Sequence, residues 1–264
     1  MFYLKEDLLQ ALQKLGIAKG DTLYITGNLG NLGVIKGLTK TQIINTYYEV
    51  LKELVGDTGT LVVPTHSFAL CNTDKPFSLS ETPSETGPFT EYIRNLPSAF
   101  RQNHPFSSCS AIGRNARFIC TNNSKHVYGY QSPFDRMLRC NAKFLSLGMP
   151  VSRNASIVHH TEFLMGVPYR YSKEFCHPVE VNGQITHHYY YLYVTYMDCD
   201  IERDKNQKIF DHFLQTYAIK TQTLGLNSLS LFDMNEFVDS TTKLMAKDIY
   251  AWLKQPPKYR PFTR

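Results

Sequence analysis

Short apolar segments alternate with longer amphipathic segments in the first quarter of the chain. Leucines recur at helical spacing over residues 3–17, and a second helical pattern covers residues 39–55 and stops at Gly56. An apolar run of strand length follows each of them, at residues 22–26 and 59–65. Strands that alternate with helices of this length are typical of layered α/β folds, in which ligands bind in a crevice beside the strand ends. We therefore expect an α/β fold with its functional site at that edge of the sheet.

The rest of the chain adds a long polar segment and a distinct C-terminal part. Residues 72–87 are rich in Pro, Ser, Thr, Asp and Glu, and we expect this excursion to cover the site because long loops in compact domains are usually functional. An Asn-Gly pair at residues 182–183 predicts a β-hairpin, and an aromatic strand continues over residues 189–196. Two closing helices are expected, near residues 207–220 and over residues 233–254.

Composition excludes several classes of function. The 264 residues are 42% hydrophobic, and their net charge of +5 comes without the dense basic tract that is typical of nucleic-acid-binding proteins. No apolar run approaches the roughly 18 residues that a membrane span requires, and the first residues lack a signal pattern, so we expect a cytoplasmic protein that is not inserted in a membrane. The six cysteines have no paired spacing, which indicates reduced thiols. No repeat or linker divides the chain, and we expect one domain over residues 1–264.

Two histidine-containing segments carry the candidate chemistry. His159 and Glu162 are three residues apart at a predicted helix start, directly after the strand-like run at residues 144–148, and this spacing places both side chains on one helix face. A neutral imidazole can accept a proton there, and the carboxylate can bind an ammonium group. His160 faces elsewhere. The second segment places His104 in a polar turn, where loop-borne chemistry is common, and we expect the two segments to form one site.

A metal site is the other chemistry that these side chains could support. The potential ligands are His66, His104, His159, His160 and Glu162. Their spacing lacks the H-E-x-x-H pattern of zincins, and adjacent histidines on a helix diverge by about 100°. We therefore expect no catalytic metal.

Five motifs resemble those of the aminoglycoside 3-N-acetyltransferase family in their order and spacing. They are Gly20-Asp21-Thr22-Leu23, the run at residues 55–65, Arg101 and His104-Pro105 with Ser108 and Ala111-Ile112-Gly113, then Leu147-Gly148, and the H-x-x-E motif His159-His160-Thr161-Glu162. The resemblance implies the layered α/β/α fold of antibiotic N-acetyltransferases, which differs from the GNAT fold, with a C-terminal β-hairpin and closing helices. It also implies transfer of an acyl group, typically acetyl, from acyl-CoA to an amine on a sugar by direct attack in a ternary complex.

The resemblance further implies roles for individual residues. His159 would take the proton from the attacking amine, Glu162 would bind the ammonium group or orient a ring, and His104 would hold the thioester and donate toward the oxyanion. Acetyl-CoA, or another acyl-CoA, would bind mainly to loops within residues 20–70, and the acceptor site would be formed from about residues 72–178. The residues expected to bind the cofactor are Thr26, Gly27, Asn28, Leu29, Gly33, Thr65, Ser108 and Ala111.

The chain departs from the family pattern after the first strand. Family members have His-Ser-Ser-Leu there, whereas this chain has Thr26-Gly27-Asn28-Leu29, so the acyl group need not be acetyl. A covalent route through the thiolate of Cys109, close to His104 in sequence, is a further alternative, although the family uses no cysteine at that place.

The expected acceptor is a small-molecule amino sugar. An aminoglycoside carries several positive charges, and residues 72–87 hold too few carboxylates to match them. We therefore expect a nucleotide-linked amino sugar used in assembly of a surface polysaccharide. Acetylation of an aminoglycoside antibiotic, which confers resistance, is the alternative, and a sugar-binding protein without enzymatic activity is a distant one. A homodimer is plausible from family precedent.

Overall fold

The computed structural model describes residues 1–259, and its elements alternate as expected for an α/β fold. The strands are, in chain order, Phe2–Tyr3 (β1), Thr22–Gly27 (β2), Val34–Ile35 (β3), Thr60–Pro64 (β4), Phe100–Arg101 (β5), Cys109–Gly113 (β6), Lys143–Leu147 (β7), Arg170–Val181 (β8), Gln184–Thr195 (β9), Lys220–Leu224 (β10) and Asn227–Asp233 (β11). The α-helices are Lys5–Lys14 (α1), Lys40–Val55 (α2), Pro88–Arg94 (α3), Ala116–Cys120 (α4), Pro133–Arg139 (α5), Val151–Asn154 (α6), Ile157–Met165 (α7), Gln207–Phe213 (α8) and Met234–Lys247 (α9).

Seven of these strands form one mixed sheet in the order β10-β11-β7-β2-β4-β6-β5. β2 lies between β7 and β4 and is parallel to both, while the other neighbours in the sheet are antiparallel. Parallel strands run in the same direction, so their carboxyl ends lie at the same edge of the sheet. Gly27, Pro64 and Leu147 therefore end up side by side, as the alternation of strands and helices predicts.

Helices cover both faces of the sheet, which confirms the expected layering. Successive side chains of a strand point to opposite faces, and β2 shows this clearly. Leu23 and Ile25 pack with the apolar faces of α1 and α2, whereas Tyr24 packs with α4, α5, α7 and α9 on the other side. Two separate hydrophobic cores result, one on each face, and β2 and β4 are buried between them.

Local signals fix the first turn of α2 beside the sheet edge. The side chain of Thr39 accepts a hydrogen bond from the backbone N–H of Gln42, and the side chain of Gln42 accepts one from the backbone N–H of Thr39. This reciprocal capping box satisfies two amides that would otherwise have no partner. The helix ends at Gly56, which adopts a positive φ of 65°.

The predicted hairpin is confirmed. β8 and β9 are antiparallel strands of 12 residues each, and Asn182 and Gly183 join them with positive φ values of 52° and 77°. The hairpin packs against a third, smaller apolar cluster that contains Phe77 and Phe106.

The C-terminal part differs from the sequence-based expectation. The helix expected near residues 207–220 is α8 and ends at Phe213, and the helix expected over residues 233–254 is the shorter α9. The strands β10 and β11 between them were not predicted. β11 buries Leu229 and Leu231 and pairs with β7, so contacts distant in sequence define it rather than a strong local pattern.

Candidate active site

A cavity of about 930 Å³ opens at the edge of the sheet where β2, β4 and β7 end. Its walls are formed by the residues that follow β2, by the first turns of α2 and α3, and by the end of the excursion at residues 72–87. Apolar side chains such as Leu29 and Ile43 make up much of the surface, and Lys40 and Glu85 add charged groups. Its volume lies at the upper end of the range of about 300–1,000 Å³ that is usual for small-molecule sites.

Part of the predicted cofactor set lines this cavity. These residues are Thr26, Gly27, Asn28, Leu29 and Gly33. Gly27 has a positive φ of 124°, and a Cβ atom there would lie 2.1 Å from the carbonyl oxygen of Leu147. Only glycine therefore allows β2 to end so close to β7. Asn28 begins a short 3₁₀ turn, and its side chain accepts a hydrogen bond from the N–H of Gly30.

The other three predicted cofactor residues do not line the cavity. Thr65, Ser108 and Ala111 are fully buried, and Ala111 packs in the core on the Tyr24 face of the sheet. The hydroxyl of Ser108 donates a hydrogen bond of 2.6 Å to the carbonyl oxygen of Thr65, and the two side-chain oxygens are 3.0 Å apart. These hydroxyls are thus engaged inside the protein, where they join β4 to β6. This placement corrects the expectation that they contact the cofactor.

The excursion at residues 72–87 is fastened to the sheet. The guanidinium group of Arg101 donates hydrogen bonds to the carbonyl oxygens of Thr82 and Thr65, at 2.5 and 3.0 Å, and the hydroxyl of Thr86 donates one of 2.6 Å to the carbonyl oxygen of Pro64. The last residues of the excursion line the cavity. The segment is therefore a fixed wall of the site in this structure.

His159 and Glu162 meet on the first turns of α7, as their spacing predicts. His159 Nδ1 lies 2.5 Å from Glu162 Oε2, and the carboxylate is fully buried. Two further groups bind the same carboxylate: the hydroxyl of Tyr169 donates a hydrogen bond of 2.7 Å to Oε1, and Arg170 Nε lies 3.0 Å from Oε2. The side chain of His159 remains 26% exposed, so the pair connects a buried anion to an accessible ring.

The short contact between ring and carboxylate determines which ring nitrogen is available. At 2.5 Å a proton must lie between Nδ1 and Oε2, because two lone pairs at this distance would repel each other. A neutral His159 then donates from Nδ1 and keeps the lone pair of Nε2. Nε2 is therefore the atom that can accept a proton from a bound substrate.

Burial and charge act in opposite directions on this pair. Burial lowers the pKa of His159, Glu162 opposes that shift, and the positive charges of Arg170 and Arg203 reinforce it, with a net lowering. Burial alone would raise the pKa of Glu162, but His159 and Arg170, together with the hydrogen bond from Tyr169, outweigh it and lower that pKa. Near neutral pH the site thus holds a carboxylate beside an uncharged imidazole.

Aromatic rings enclose the pair. Trp252 meets the ring of His159 edge-on, with 5.2 Å between centroids, and the guanidinium groups of Arg170 and Arg203 lie 4.5 and 5.2 Å from the centroid of the Trp252 ring. Neither arginine nor Trp252 was identified in the sequence. Arg203 and Trp252 also lie outside residues 72–178, where the acceptor site was expected, and only the presence of a single Trp in the chain gave a faint signal.

The remaining histidines of the two segments have partners of their own. His160 is buried, accepts a hydrogen bond at Nδ1 from the N–H of Gly129, and has its pKa lowered to about 4 by burial, so it faces away from His159 as expected. His104 is fully buried, its Nδ1 accepts from the N–H groups of Phe106 and Ser107, and burial lowers its pKa to about 3. Its ring holds the turn at residues 104–107. The structure does not bring His104 into contact with His159, which corrects the expectation of one joint site.

Residues 148–156 connect the cavity to the His159–Glu162 pair. They run from β7, whose last residue lines the cavity, to the first turn of α7. The side-chain oxygen of Asn154 can accept hydrogen bonds from the hydroxyls of Ser146 and Thr26, at 2.8 and 3.0 Å. The hydroxyl of Tyr24 is 3.4 Å from that of Ser156. Side chains of β2 and β7 therefore hold the segment that places His159 at the same edge of the sheet as the cavity.

Cys109, metal ligation and membrane insertion can each be examined in the structure. Cys109 is buried in the core with its sulfur 3.8 Å from that of Cys120, away from the cavity lining, so the covalent route has no accessible thiol. Within residues 1–259, no group of three or more His, Cys, Asp or Glu side chains is arranged to hold a metal ion. Over the same part of the chain, no helix has the length and apolar character needed to cross a membrane.

Comparison with known proteins places this geometry in a family. The family model described as aminoglycoside 3-N-acetyltransferase matches residues 27–246. Among curated proteins, aminoglycoside N(3)-acetyltransferase III of Pseudomonas aeruginosa is 23% identical over 229 residues, which cover 80% of either chain. An aminoglycoside N(3')-acetyltransferase-like protein of Bacillus subtilis is 22% identical over 90% of this chain and 91% of its own length.

Solved structures agree with this assignment at the level of the fold. The structure of AAC-IIIb with CoASH superimposes with a TM-score of 0.78 at 19% identity and covers 94% of this chain and 97% of its own. Sisomicin-bound AAC-VIa gives a TM-score of 0.79 at 20% identity, with coverage of 94% and 99%. The match of the family model over most of the chain is decisive. The chain belongs to the aminoglycoside 3-N-acetyltransferase family, and it is an acyltransferase that uses acetyl-CoA as its co-substrate.

Proposed function

We propose that this protein transfers the acetyl group of acetyl-CoA to an amino group of an aminoglycoside, with His159 as the general base. The observation that carries the proposal is the His159–Glu162 pair at the end of the sheet that also bears the cavity. The comparisons favour this acceptor over the nucleotide-linked amino sugar that the sequence led us to expect first, because the matching relatives are named for aminoglycosides.

The chemistry requires a base with a pKa near or below neutrality. A sugar ammonium group must lose a proton before its nitrogen can attack the thioester carbon, and His159 Nε2 is the available acceptor. As the nitrogen–carbon bond forms, the carbon–sulfur bond breaks and the CoA thiolate leaves. The proton on His159 can then pass to that thiolate, which restores the neutral ring. Glu162 stabilises the transient imidazolium through Nδ1.

The cavity supplies the features that acetyl-CoA needs. The first turn of α2, a helix of 16 residues, reaches the cavity at Thr39 and Lys40, and the N-terminus of a helix together with a lysine is a favourable place for phosphate groups. The apolar lining, with Ile43 and Leu38, suits the pantetheine arm. We assign Thr26, Gly27, Asn28, Leu29 and Gly33 to this binding site. His104 stays outside the proposed machinery.

An acid-rich segment near His159 matches the charge of an aminoglycoside. Residues 198–204 contain four carboxylates, and backbone hydrogen bonds hold this segment against residues 252–254, where Trp252 packs on His159. Glu202 forms an ion pair with Lys254. A polycationic acceptor is attracted by such a surface, and the excursion at residues 72–87, which is poor in carboxylates, need not provide it.

One observation favours a nucleotide-linked amino sugar as a second candidate. Arg203 lies beside Trp252 and within the electrostatic reach of His159, and no hydrogen bond or ion pair of its guanidinium is found among residues 1–259. An exposed guanidinium at this place would bind a phosphate well and would repel an ammonium group.

Thiol release from acetyl-CoA tests the proposal directly. Purified protein is assayed with gentamicin and sisomicin and, separately, with nucleotide-linked amino sugars, and the His159→Ala variant serves as control. Turnover of the aminoglycosides that is lost in the variant supports the proposal. Turnover of the nucleotide-linked sugars alone would replace it by the second candidate, and Arg203→Met should then raise KM for the sugar while leaving acetyl-CoA binding unchanged.

A further inference from the structure

Arg170 touches every member of the proposed catalytic pair. Its Nε lies 3.0 Å from Glu162 Oε2, its Nη2 lies 3.1 Å from His159 Nδ1, and its Nη1 donates a hydrogen bond of 3.2 Å to the carbonyl oxygen of Tyr193. The side chain is only 7% exposed. Each of the three guanidinium nitrogens therefore has its own partner, an arrangement that the single ammonium group of a lysine cannot reproduce.

The charge balance around Glu162 depends on this arginine. A fully buried carboxylate needs a cation, and His159 and Arg170 are the two cationic or potentially cationic groups in contact with it. If Arg170 were absent, Glu162 would hold a proton on His159 to obtain its partner. A protonated His159 has no lone pair at Nε2 and cannot act as a base.

The other groups around His159 do not take over this function. Tyr128 is about 6 Å away between ring centroids and, like Tyr169, is uncharged at neutral pH because burial raises its pKa. Arg203 adds positive charge from the opposite side of the ring system but does not contact Glu162. Trp252 has no titratable group. Arg170 is therefore the permanent counter-charge of the buried carboxylate.

We propose that Arg170 is a positioning residue that neutralises Glu162 permanently and so leaves His159 uncharged and ready to accept a proton at neutral pH. This inference rests on the proposed role of His159 as general base. It adds a third residue to the pair, and it explains how a buried glutamate can orient the ring through Nδ1 without trapping a proton there.

The test measures the protonation of His159 in the protein without substrate. NMR titration of histidine-labelled protein gives the pKa of His159, whose signal is assigned by its absence in His159→Gln. Arg170→Met should raise this pKa by about one unit or more, the effect of losing a charged neighbour at 3–4 Å. Arg170→Lys should restore part of the shift, and Arg203→Met, which removes a charge without touching Glu162, should change the pKa less.

The same variants give a kinetic signature. In Arg170→Met, the acidic limb of the kcat/KM profile should move up by the amount of the NMR shift, so that activity at pH 7 falls about tenfold or more and recovers toward pH 9. A purely structural role would lower activity at all pH values alike. Circular dichroism establishes that the variants are folded, and Arg170→Lys serves if the methionine variant is not.

The outcomes separate this inference from the proposed function. An unchanged or lower His159 pKa in folded Arg170→Met would mean that Glu162 takes the proton instead, and the inference would be overturned. If the pKa rises as expected but wild-type protein acetylates no amine, the role of Arg170 in setting the charge of His159 stands and the proposed function fails. A shift in the NMR titration without a shift in the kinetic limb would show that His159 is not the base.

Discussion

The buried ion pair of Glu162 and Arg170 leads to a prediction about stability that can be worked out from the contacts. Glu162→Gln keeps the shape of the side chain and an acceptor for the Tyr169 hydroxyl, but it leaves Arg170, which is 7% exposed, without its counter-charge. Removing one partner of a buried pair typically costs about 3–5 kcal/mol, because the remaining charge stays desolvated. We expect a loss of this size in the free energy of unfolding from urea denaturation at pH 7.

The double variant Glu162→Gln/Arg170→Met sharpens this prediction, because it leaves no buried charge unpaired. Its loss should be smaller than the sum of the two single losses by about 2–3 kcal/mol, the coupling expected for residues in direct contact. Additive losses would refute the idea that the two charges compensate each other. Arg170→Lys is the matched control, since it keeps the charge but loses part of the geometry, and it should cost less than Arg170→Met.

The pH dependence of these losses has a definite sign. The pKa of Glu162 is lowered in the folded protein, so the stability from its ionised form is present above the pKa of the unfolded chain and disappears as the pH falls through the folded value. The cost of Glu162→Gln should therefore shrink in acid. In Arg170→Met, His159 is expected to gain a raised pKa, so the cost of that substitution should grow as the pH rises through this value. A cost of Arg170→Met that is the same at pH 5.5 and pH 8 would contradict the scheme.

Three further predictions concern the active site. His159→Ala should lower kcat by about 10²–10⁴-fold in the thiol-release assay, while calorimetry should find the acetyl-CoA affinity of wild type. Gly27→Ala should weaken acetyl-CoA binding and destabilise the protein, because its Cβ would lie 2.1 Å from the Leu147 carbonyl oxygen, whereas Gly37→Ala, also at positive φ but with no atom within 4 Å, should cost only the backbone strain; equal losses would contradict this. Because the pKa of His159 is lowered, kcat/KM should be level around pH 7 and fall only in more acidic solution, and an acidic limb above pH 7 would show a ring that is charged at rest.

Elements with strong local signals could be predicted from the sequence. α2 has a capping box at Thr39 and a terminal Gly56, and the hairpin has an Asn-Gly turn, so neighbouring residues alone specify their ends. β10 and β11 lack such signals. β10 is an edge strand with mostly polar residues, and β11 is stabilised by pairing with β7 some 80 residues earlier in the chain, which no local pattern reveals.

The candidate site shows the same division between local and distant contacts. His159 and Glu162 are three residues apart on one helix, so their contact follows from helix geometry. Arg170 comes from the start of a strand and Trp252 from the segment after α9, and only the fold brings them to the pair. The turn around His104 illustrates the converse. A histidine in a polar loop can bind a ligand or hold the loop, and the two N–H groups that point at its Nδ1 are visible only in three dimensions.

The arrangement of charges at the site makes the return of the proton as favourable as its removal. A base that binds the proton tightly would deprotonate the amine easily but would then release the proton slowly, whereas His159 sits between a carboxylate that stabilises the imidazolium and two arginines that destabilise it. The net lowering of its pKa makes the imidazolium a stronger acid than free histidine. A leaving thiolate, with a conjugate acid near pKa 8.5 like that of cysteine, is the stronger base of the two. The proton therefore moves downhill from His159 to the departing sulfur, and the neutral ring that Arg170 maintains is regenerated within the same turnover.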